Sequence, residues 1–326
     1  MDLHAFSRTI ERIYAIAEQA APDRFSSEVL RVIRRLIHFD GAVLATGYLD
    51  TKETQRLIIE QAQIFNLDEH MLVDYAMLSG ADPIIHALIE GLTKPLVLDQ
   101  IDFYAQHKLW DLHDFADKYA LRKLLLYGDA PNRNRNNAMR WLALYRGTND
   151  DFSKVDAVGA KEFWNHIGQA TAINLQHSLE KTDPRRVLRA ASLINARGVI
   201  EVANPAWNHL LKLELPTYNG RTLPAHVMTS LISTAGHRGK LIAISSSLKF
   251  GYLACTARSI HRFERLAPSE MNVADRFAKG MTHTEIALHL RVSPNTVRNQ
   301  LAQIYQKLGV HSKTELVRVM LSRQRQ

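Results

Sequence analysis

The alternation of apolar and polar positions divides the chain into three stretches of different character. In the first, residues 26–39 repeat apolar side chains at helical spacing: Val29, Leu30, Ile33, Leu36 and Ile37 on one side, with Arg31, Arg34 and Arg35 opposite. Asp40-Gly41 ends that helix. Residues 42–49 then read as a strand whose partner, 57–64, lies across a polar turn at 50–54. Helical patterns follow at 68–78 and 83–90, and a longer one, rich in aromatic residues, at 103–119. Strands at 121–127 and 138–145 flank a loop, 128–137, whose Pro, Gly and Asn content excludes regular structure. A helix over 151–181 closes the stretch, with a stripe through Val155, Val158, Phe163, Ile167, Ala170, Ile173 and Leu179 and with Phe152 just ahead of it. The expected arrangement is a central antiparallel sheet with helices on one face and at its ends.

Thr182-Asp183-Pro184 breaks the long helix, because proline lacks an amide donor and disfavours helix in the residue before it. The second stretch opens as a hairpin over 191–204, turning at Arg197-Gly198, where glycine can take a positive φ. Asn204 and Pro205 suit the cap and first turn of a short helix through Trp207, Leu210 and Leu211. Residues 240–247 and 250–258 form a further hairpin. No internal repeat is visible.

The third stretch reads as four short helices. The first, 269–279, turns Met271, Val273, Ala274 and Phe277 inward and ends at Gly280. Thr282 and Glu285 stand at capping-box spacing at the start of the second. Ser293 and Pro294 open the third, which continues to Leu308 and stops at Gly309; Ser312 caps the fourth. Two helices joined by a three- to four-residue turn, the second of them long and polar on one side, make a helix-turn-helix. In that geometry the third helix enters the major groove and presents Asn295, Thr296, Arg298, Asn299, Gln300 and Gln303, while Val297, Leu301, Ile304 and Leu308 form core. Arginine pairs with guanine, and asparagine or glutamine with adenine. Thr282, Ser293 and the adjoining helix-start amides suit phosphate oxygens, as does Lys307.

These residues carry a resemblance. "MTHTEIALHLRVSPNTVRNQLAQIYQKLGV", preceded by "LAPSE", resembles the DNA-binding domain of LuxR-type regulators. Gly280, Glu285, Ile286, Ala287, Leu290, Ser293, Thr296, Val297, Ile304, Lys307, Leu308 and Gly309 match; the family's opening appears as Leu266, Pro268, Ser269 and Glu270, with serine where arginine is usual. Asn295 replaces a common lysine and Gln300 a common histidine, both on the DNA face, so the family's preferred base sequence does not carry over with the resemblance. The order of elements over roughly 10–180 resembles a GAF domain, a small-molecule sensor fold, and 184–262 resembles a compact PAS domain. The expected fold class is therefore α+β multidomain: a GAF-like sensor over 1–182, a PAS-like domain over 183–262 and an all-α helix-turn-helix domain over 263–326.

Charge changes the picture in one place. The 326 residues carry a formal +8, and from Leu266 onward nine basic residues stand against four acidic ones, a local excess of +5 that favours a polyanionic partner. Forty-six per cent hydrophobic residues exclude wholesale disorder, and one cysteine, Cys255, excludes a disulfide framework or a multi-thiolate metal site. No run reaches the roughly 18 apolar residues of a membrane span, and the amino terminus lacks a signal-peptide pattern, so a cytoplasmic location without membrane contact is expected. Phosphate-loop, nucleophile-elbow and zinc-pair motifs are missing, and no cofactor or metal is expected. The spacing of Trp110 and Trp141 does not reproduce an acyl-homoserine-lactone domain.

Tyr48, Phe65, Tyr75, Phe103, Tyr104, His107 and Trp110 either line a ligand pocket or fill a core, the commoner fate of aromatic residues at helical spacing. The loop at Asn132–Asn137 with Arg122, Lys123 and Arg140 is a weaker candidate for an anion. The resemblance implies a one-component transcription regulator, not an enzyme: its partners would be double-stranded DNA, a small-molecule effector and a second copy of the chain, with room for RNA polymerase. A cyclic-nucleotide hydrolase lacks its metal ligands here, and a ligand-independent DNA scaffold is the other alternative. Residues 263–326 alone are expected to bind promoter DNA weakly. Titration at two salt concentrations checks this, since affinity indifferent to salt would remove the electrostatic basis.

Overall fold

The computed structural model describes residues 2–50, 56–132, 137–181 and 190–323. The first unit begins with two helices, α1 (Leu3–Gln19) and α2 (Pro22–Ile33). A five-stranded sheet follows: β1 (Gly41–Asp50), β2 (Arg56–Phe65), β3 (Leu96–Asp99), β4 (Lys123–Gly128) and β5 (Ala138–Arg146). Its order is β2-β1-β5-β4-β3, antiparallel throughout. Between β2 and β4 the chain folds α3 (His70–Leu78), α4 (Pro83–Glu90), α5 (Gln100–Gln106) and α6 (Trp110–Lys118). After β5 comes α7 (Lys154–Lys181).

Both faces of this sheet are covered, not one. Alternate residues of each strand enter two separate cores. Ala42, Leu125, Leu142 and Leu144 pack with α1, α2 and α7; Val43, Ala45, Leu124, Leu126, Trp141 and Ala143 pack with α3 to α6. The uninterrupted runs Leu124-Leu125-Leu126 and Leu142-Ala143-Leu144 are the sequence mark of a strand with no wet side. The aromatic helix expected at 103–119 is two helices, because Lys108 turns into the left-handed region (φ 59°) and the Leu109 amide bonds back to the Tyr104 carbonyl. Two elements of this unit were not expected: α1, whose stripe through Phe6, Ile13 and Ala17 is nonetheless legible, and the four-residue edge strand β3.

The second unit contains β6 (Ala190–Ile194), β7 (Ile200–Ala203), α8 (Pro205–Glu214), α9 (Ala225–Thr234), β8 (Gly236–Arg238), β9 (Ile242–Lys249) and β10 (Tyr252–Ser259). Its sheet runs β7-β6-β10-β9-β8, again all antiparallel, which repeats the strand order of the first unit with no repeat in sequence. Asn204 caps α8 by accepting the Trp207 amide at 2.9 Å, and Gly198 takes φ 81° in the turn between β6 and β7. Helices α8 and α9 cover one face, with Trp207 and Leu211 fully buried.

The other face explains the length of α7. Its first half packs into the first unit through Ala160, Phe163, Trp164, Ile167 and Ala170. Its last turns place Leu175 and Leu179 on Ala191, Leu193 and Ala254 of the second sheet. Asn174, between the two contacts, donates to the Ala17 and Ala20 carbonyls at the end of α1. Val155 and Val158, expected on the same apolar stripe, are 50% and 59% exposed. The stripe is therefore shared between two sheets. The proline break at 182–184 and the turn at 51–54 lie outside the described residues. Among the described residues no single helix is long and apolar enough to cross a membrane.

The third unit is all helical: α10 (Pro268–Ala278), α11 (His283–Leu290), α12 (Pro294–Leu308) and α13 (Lys313–Arg323) around Val273, Phe277, Ile286, Val297, Leu301, Ile304 and Leu316. Burying Leu175 and Leu179 is worth about 2 kcal/mol each, while a charge in the Ile167 position faces a dry core. Ile167→Glu should therefore unfold the first unit, whereas Leu179→Asp should leave that unit folded and release the second sheet. Circular dichroism and limited proteolysis distinguish the two, and a folded, protease-resistant Ile167→Glu protein would contradict this packing.

Candidate functional site

The third unit builds a polar surface on a closed core. Helix α11 starts with a complete capping box: the Thr282 hydroxyl accepts the Glu285 amide (3.3 Å), and the Glu285 carboxylate accepts the Thr282 amide (2.7 Å). It stops where Arg291 adopts the left-handed region (φ 53°), a three-residue turn before α12. Ser293 Oγ caps α12 by accepting the Thr296 amide at 3.0 Å, with Pro294 in the first turn. Helix α12 ends at Gly309 (φ 65°), a conformation that L side chains rarely adopt.

These caps fix the roll of α12. Val297, Leu301, Ile304 and Leu308 are buried, which turns Asn295, Thr296, Arg298, Asn299 and Gln303 into solvent. Gln300 is half-buried, and its Oε1 is buried without a protein partner. Arg291 in the turn and Lys279 after α10 are exposed cations beside the expected set that the sequence reading missed; their basic character in a helix-turn-helix loop was the available signal. The hydroxyls of Thr282 and Ser293 already serve as caps, Thr282 Oγ1 donating to Glu285 (2.9 Å) and Ser293 Oγ lying 2.8 Å from Thr296 Oγ1.

Lys307 departs from expectation. Its Nζ lies 2.7 Å from both oxygens of Glu270, a carboxylate 5% exposed at the start of α10. Glu270 also accepts the Ala267 amide at 2.8 Å. Burial alone would raise this carboxyl, but the hydrogen bonds from Lys307 and Ala267 outweigh it and hold the group below its ordinary value of 4.5. Lys307, its side chain 39% exposed, is thus engaged in an ion pair with a buried charge, a structural role beside the phosphate contact expected of it.

The seven aromatic candidates of the first unit do not converge. Tyr48 lies under the Arg197 guanidinium, 3.5 Å from the ring centre, facing the second unit. Phe65 packs edge-on to Phe39 in the core on the opposite face of the sheet from Tyr75, Phe103 and Tyr104. His107 is exposed and stacks on Phe103 at 4.3 Å, and Trp110 is 56% exposed against His113. Phe103 also packs edge-on to Tyr104 at 5.7 Å, and Tyr104 is joined to Tyr75 through Asp82.

Asp82 is 1% exposed and caps α4 by accepting the Ile84 amide at 2.9 Å. Its Oδ2 accepts the Tyr75 hydroxyl at 2.5 Å and the Tyr104 hydroxyl at 3.1 Å; Gln100 Nε2 donates to the Tyr104 oxygen at 3.2 Å. Burial raises the Asp82 carboxyl despite these bonds, and burial together with the Asp82 charge raises both tyrosines. A cavity of about 60 Å³ opens beside this network, walled by Val43, Ile59, Phe115, Trp141 and Tyr145, and Gln100 Oε1 is buried without a protein partner. Ile85 separates it from an open groove of about 770 Å³ bordered by Met77 and Trp110. Sequence reasoning missed Asp82 because Asp before Pro reads as an ordinary, exposed helix cap.

The flanking cations of the Asn132–Asn137 loop are already matched: Arg122 and Lys123 with Asp99, and Arg140 with Asp129. Residues 133–136 of that loop lie outside the described residues. Cys255 is buried, and burial pushes its thiol up to about 12, which fits a core residue.

The geometry of α10 to α13 defines a helix-turn-helix DNA-binding domain. Residues 264–320 match the family model of bacterial regulatory proteins of the luxR family, and this segment is a LuxR-type domain. It is 44% identical over 50 residues to a probable HTH-type transcriptional regulator of Streptomyces halstedii, GfsR, covering 15% of this chain and 21% of that protein. It is 42% identical over 59 residues to the transcriptional regulatory protein UhpA of Escherichia coli, covering 18% and 30%. The match therefore spans less than a third of either relative. Among solved structures, SdiA in complex with octanoyl-rac-glycerol is 13% identical, with 97% of this chain and 94% of that chain covered and a TM-score of 0.40. The N-acylhomoserine-lactone-dependent CepR2 of Burkholderia cenocepacia is 18% identical over 51% of this chain and 92% of that one, with a TM-score of 0.39.

Lys307→Met should destabilise the third unit by about 2–3 kcal/mol by leaving the Glu270 carboxylate buried and unpaired. Adding Glu270→Gln should recover most of that loss without loss of DNA affinity, which a phosphate contact would not allow. Because the Glu270 carboxyl is lowered in the folded state, its contribution is full above pH 4.5 and is lost as pH falls through the folded value. Thermal melts of wild type and Glu270→Gln across that window check the sign.

Proposed function

We propose that this protein is a sequence-specific DNA-binding transcription regulator whose affinity for DNA is set by a small molecule sensed in the front units. The observation that carries the reading is the face of α12. Asn295, Thr296, Arg298, Asn299 and Gln303 stand exposed while four apolar residues anchor the opposite side, in a domain of the LuxR type. Phosphate contacts from Arg291, Lys279 and the two helix starts would set register, and Arg298 with the amides would read base edges.

The two antiparallel sheets of one strand order support the division into sensor domains over 1–182 and 183–262, of GAF-like and PAS-like character, ahead of the DNA-binding domain over 263–326. The Asp82 cavity is the effector site in this reading. Asp82 and Gln100 Oε1 are both acceptors, so the effector brings hydrogen-bond donors into an otherwise apolar chamber. Movement of Ile85 would join the chamber to the adjoining groove and admit a larger ligand. A homodimer would place two α12 helices on paired half-sites.

Arg298→Ala should weaken operator binding by about 1–3 kcal/mol and relax preference at one base position. Uniform loss across all sequences would assign Arg298 to phosphate instead. A metabolite thermal-shift screen tests the sensing half: an effector that raises the melting temperature of wild type should not raise that of Asp82→Asn. Absence of any effector across the screen would favour the ligand-independent scaffold.

A further inference from the structure

The passage from the second sheet to the DNA-binding domain contains no slack. Strand β10 ends at Ser259, and Ile260 is buried with its amide bonded to the Leu241 carbonyl at 2.7 Å. Residues Arg262–Arg265 then form a short 3-10 turn whose Phe263 enters the core of the third unit. Leu266 and Ala267, the caps of this turn and of α10, then lead directly into α10. Orientation of the DNA-binding domain therefore depends on what this turn grips.

Glu264 of the turn faces two arginines of the second sheet. Arg258, near the end of β10, holds its carboxylate with both arms, Nη1 to Oε1 at 2.8 Å and Nη2 to Oε2 at 2.9 Å. Arg238, at the end of β8, donates Nη2 to the Glu264 carbonyl at 2.8 Å and brings Nη1 to 3.6 Å from Oε2. The His261 amide adds a further bond to Oε1 at 3.1 Å. The two strands flank β9, so the turn is clamped to the end of the sheet at two points.

The opposite end of β10 meets the first unit. At the turn before this strand, the Gly251 carbonyl accepts Gln61 Nε2 at 3.0 Å. Gly251 has φ 80°, which favours glycine, and a Cβ there would come within 2.5 Å of the Gln61 nitrogen and push that side chain off the carbonyl. Arg197 of the β6–β7 turn stacks on Tyr48 of β1 in the same region. Gln61 and Tyr48 lie on the strands that also carry Val43 and Ile59 of the Asp82 cavity.

We propose that Glu264 is a positioning residue for DNA recognition: clamped by Arg258 and Arg238, it makes β10 a strut that fixes how α12 is presented relative to the front of the molecule. A bidentate guanidinium–carboxylate pair dictates geometry as well as attraction. Exposed pairs of this kind are weak, which suits a strut that a second equilibrium can bias. Hydrogen bonds from Arg258 and from the His261 amide hold the Glu264 carboxyl down at about 2, so the clamp stays ionised throughout the physiological range.

The test uses the full chain with spin labels at Leu213→Cys on α8 and Gln306→Cys on α12, both exposed. Native Cys255 is buried and escapes labelling. Double electron–electron resonance should give one narrow distance peak for the otherwise wild-type chain and loss of that peak in Glu264→Gln and in Arg258→Gln. Both substitutions are on the surface, and an unchanged thermal melt confirms that the units remain folded. A narrow peak at the wild-type distance in both variants overturns the proposal. The measurement needs no DNA, so it stands or falls apart from the reading of α12, on which the functional consequence rests. That consequence is a loss of discrimination between differently spaced half-sites in Glu264→Gln with affinity for a single half-site retained; equal discrimination by wild type and variant denies Glu264 a part in recognition.

Discussion

Helix α7 packs on two sheets at once, and the arrangement of the front of the molecule depends on that double burial. Phe163, Trp164 and Ile167 close one core, while Leu175 and Leu179, rotated round the helix, close part of another. A helix buried on one stripe can roll or slide when its partner moves. One held on two faces by different sheets transmits such movement, because either core opens a void if the helix follows the other alone. Asn174 adds a polar check on the same device, since its amide satisfies two carbonyls at the end of α1 and would be orphaned by a slide of one turn.

The third unit is built on a different balance. Its helices are defined locally by caps: Thr282 with Glu285, Ser293 with Pro294, and glycines at positive φ. An expensive feature of it is the buried carboxylate of Glu270, which Lys307 neutralises from the far end of α12. That pair ties the first helix of the unit to the last turn of the recognition helix. Specification of the angle between them is a better account of its presence than net stability, because an apolar pair of similar volume would hold the helices at least as firmly.

Asp82 poses the same question in the first unit. A carboxylate bonded to two tyrosines, with an unmatched glutamine oxygen beside it, is a costly way to fill a core if packing were the only demand. That local disagreement with the rules of folding is what makes Asp82 the centre of the effector site proposed above.

Much of the third unit is determined by sequence alone. Capping residues, glycine stops and the spacing of Val297, Leu301, Ile304 and Leu308 act within a few residues, so the helices, the turn and the outward face of α12 can all be read from the string. The strands and most helices of the front units are legible for the same reason, as is the cap and turn chemistry at Asn204 and Gly198. What tertiary structure alone decided is every matter of partnership over long separation. Leu124-Leu125-Leu126 is an apolar run whichever side its helices lie on, and only packing shows both sides covered. The stripe of α7 carries no mark of where one sheet ends and the next begins. Lys307 looks like any exposed cation near a helix end until Glu270, thirty-seven residues away, is folded beneath it. Phe65 and Tyr75 are near in sequence, yet the pleat of β2 turns Phe65 to one core while α3, laid over the other face of the sheet, carries Tyr75 to the opposite one. Periodicity encodes which side of an element is apolar; it does not encode what that side will touch.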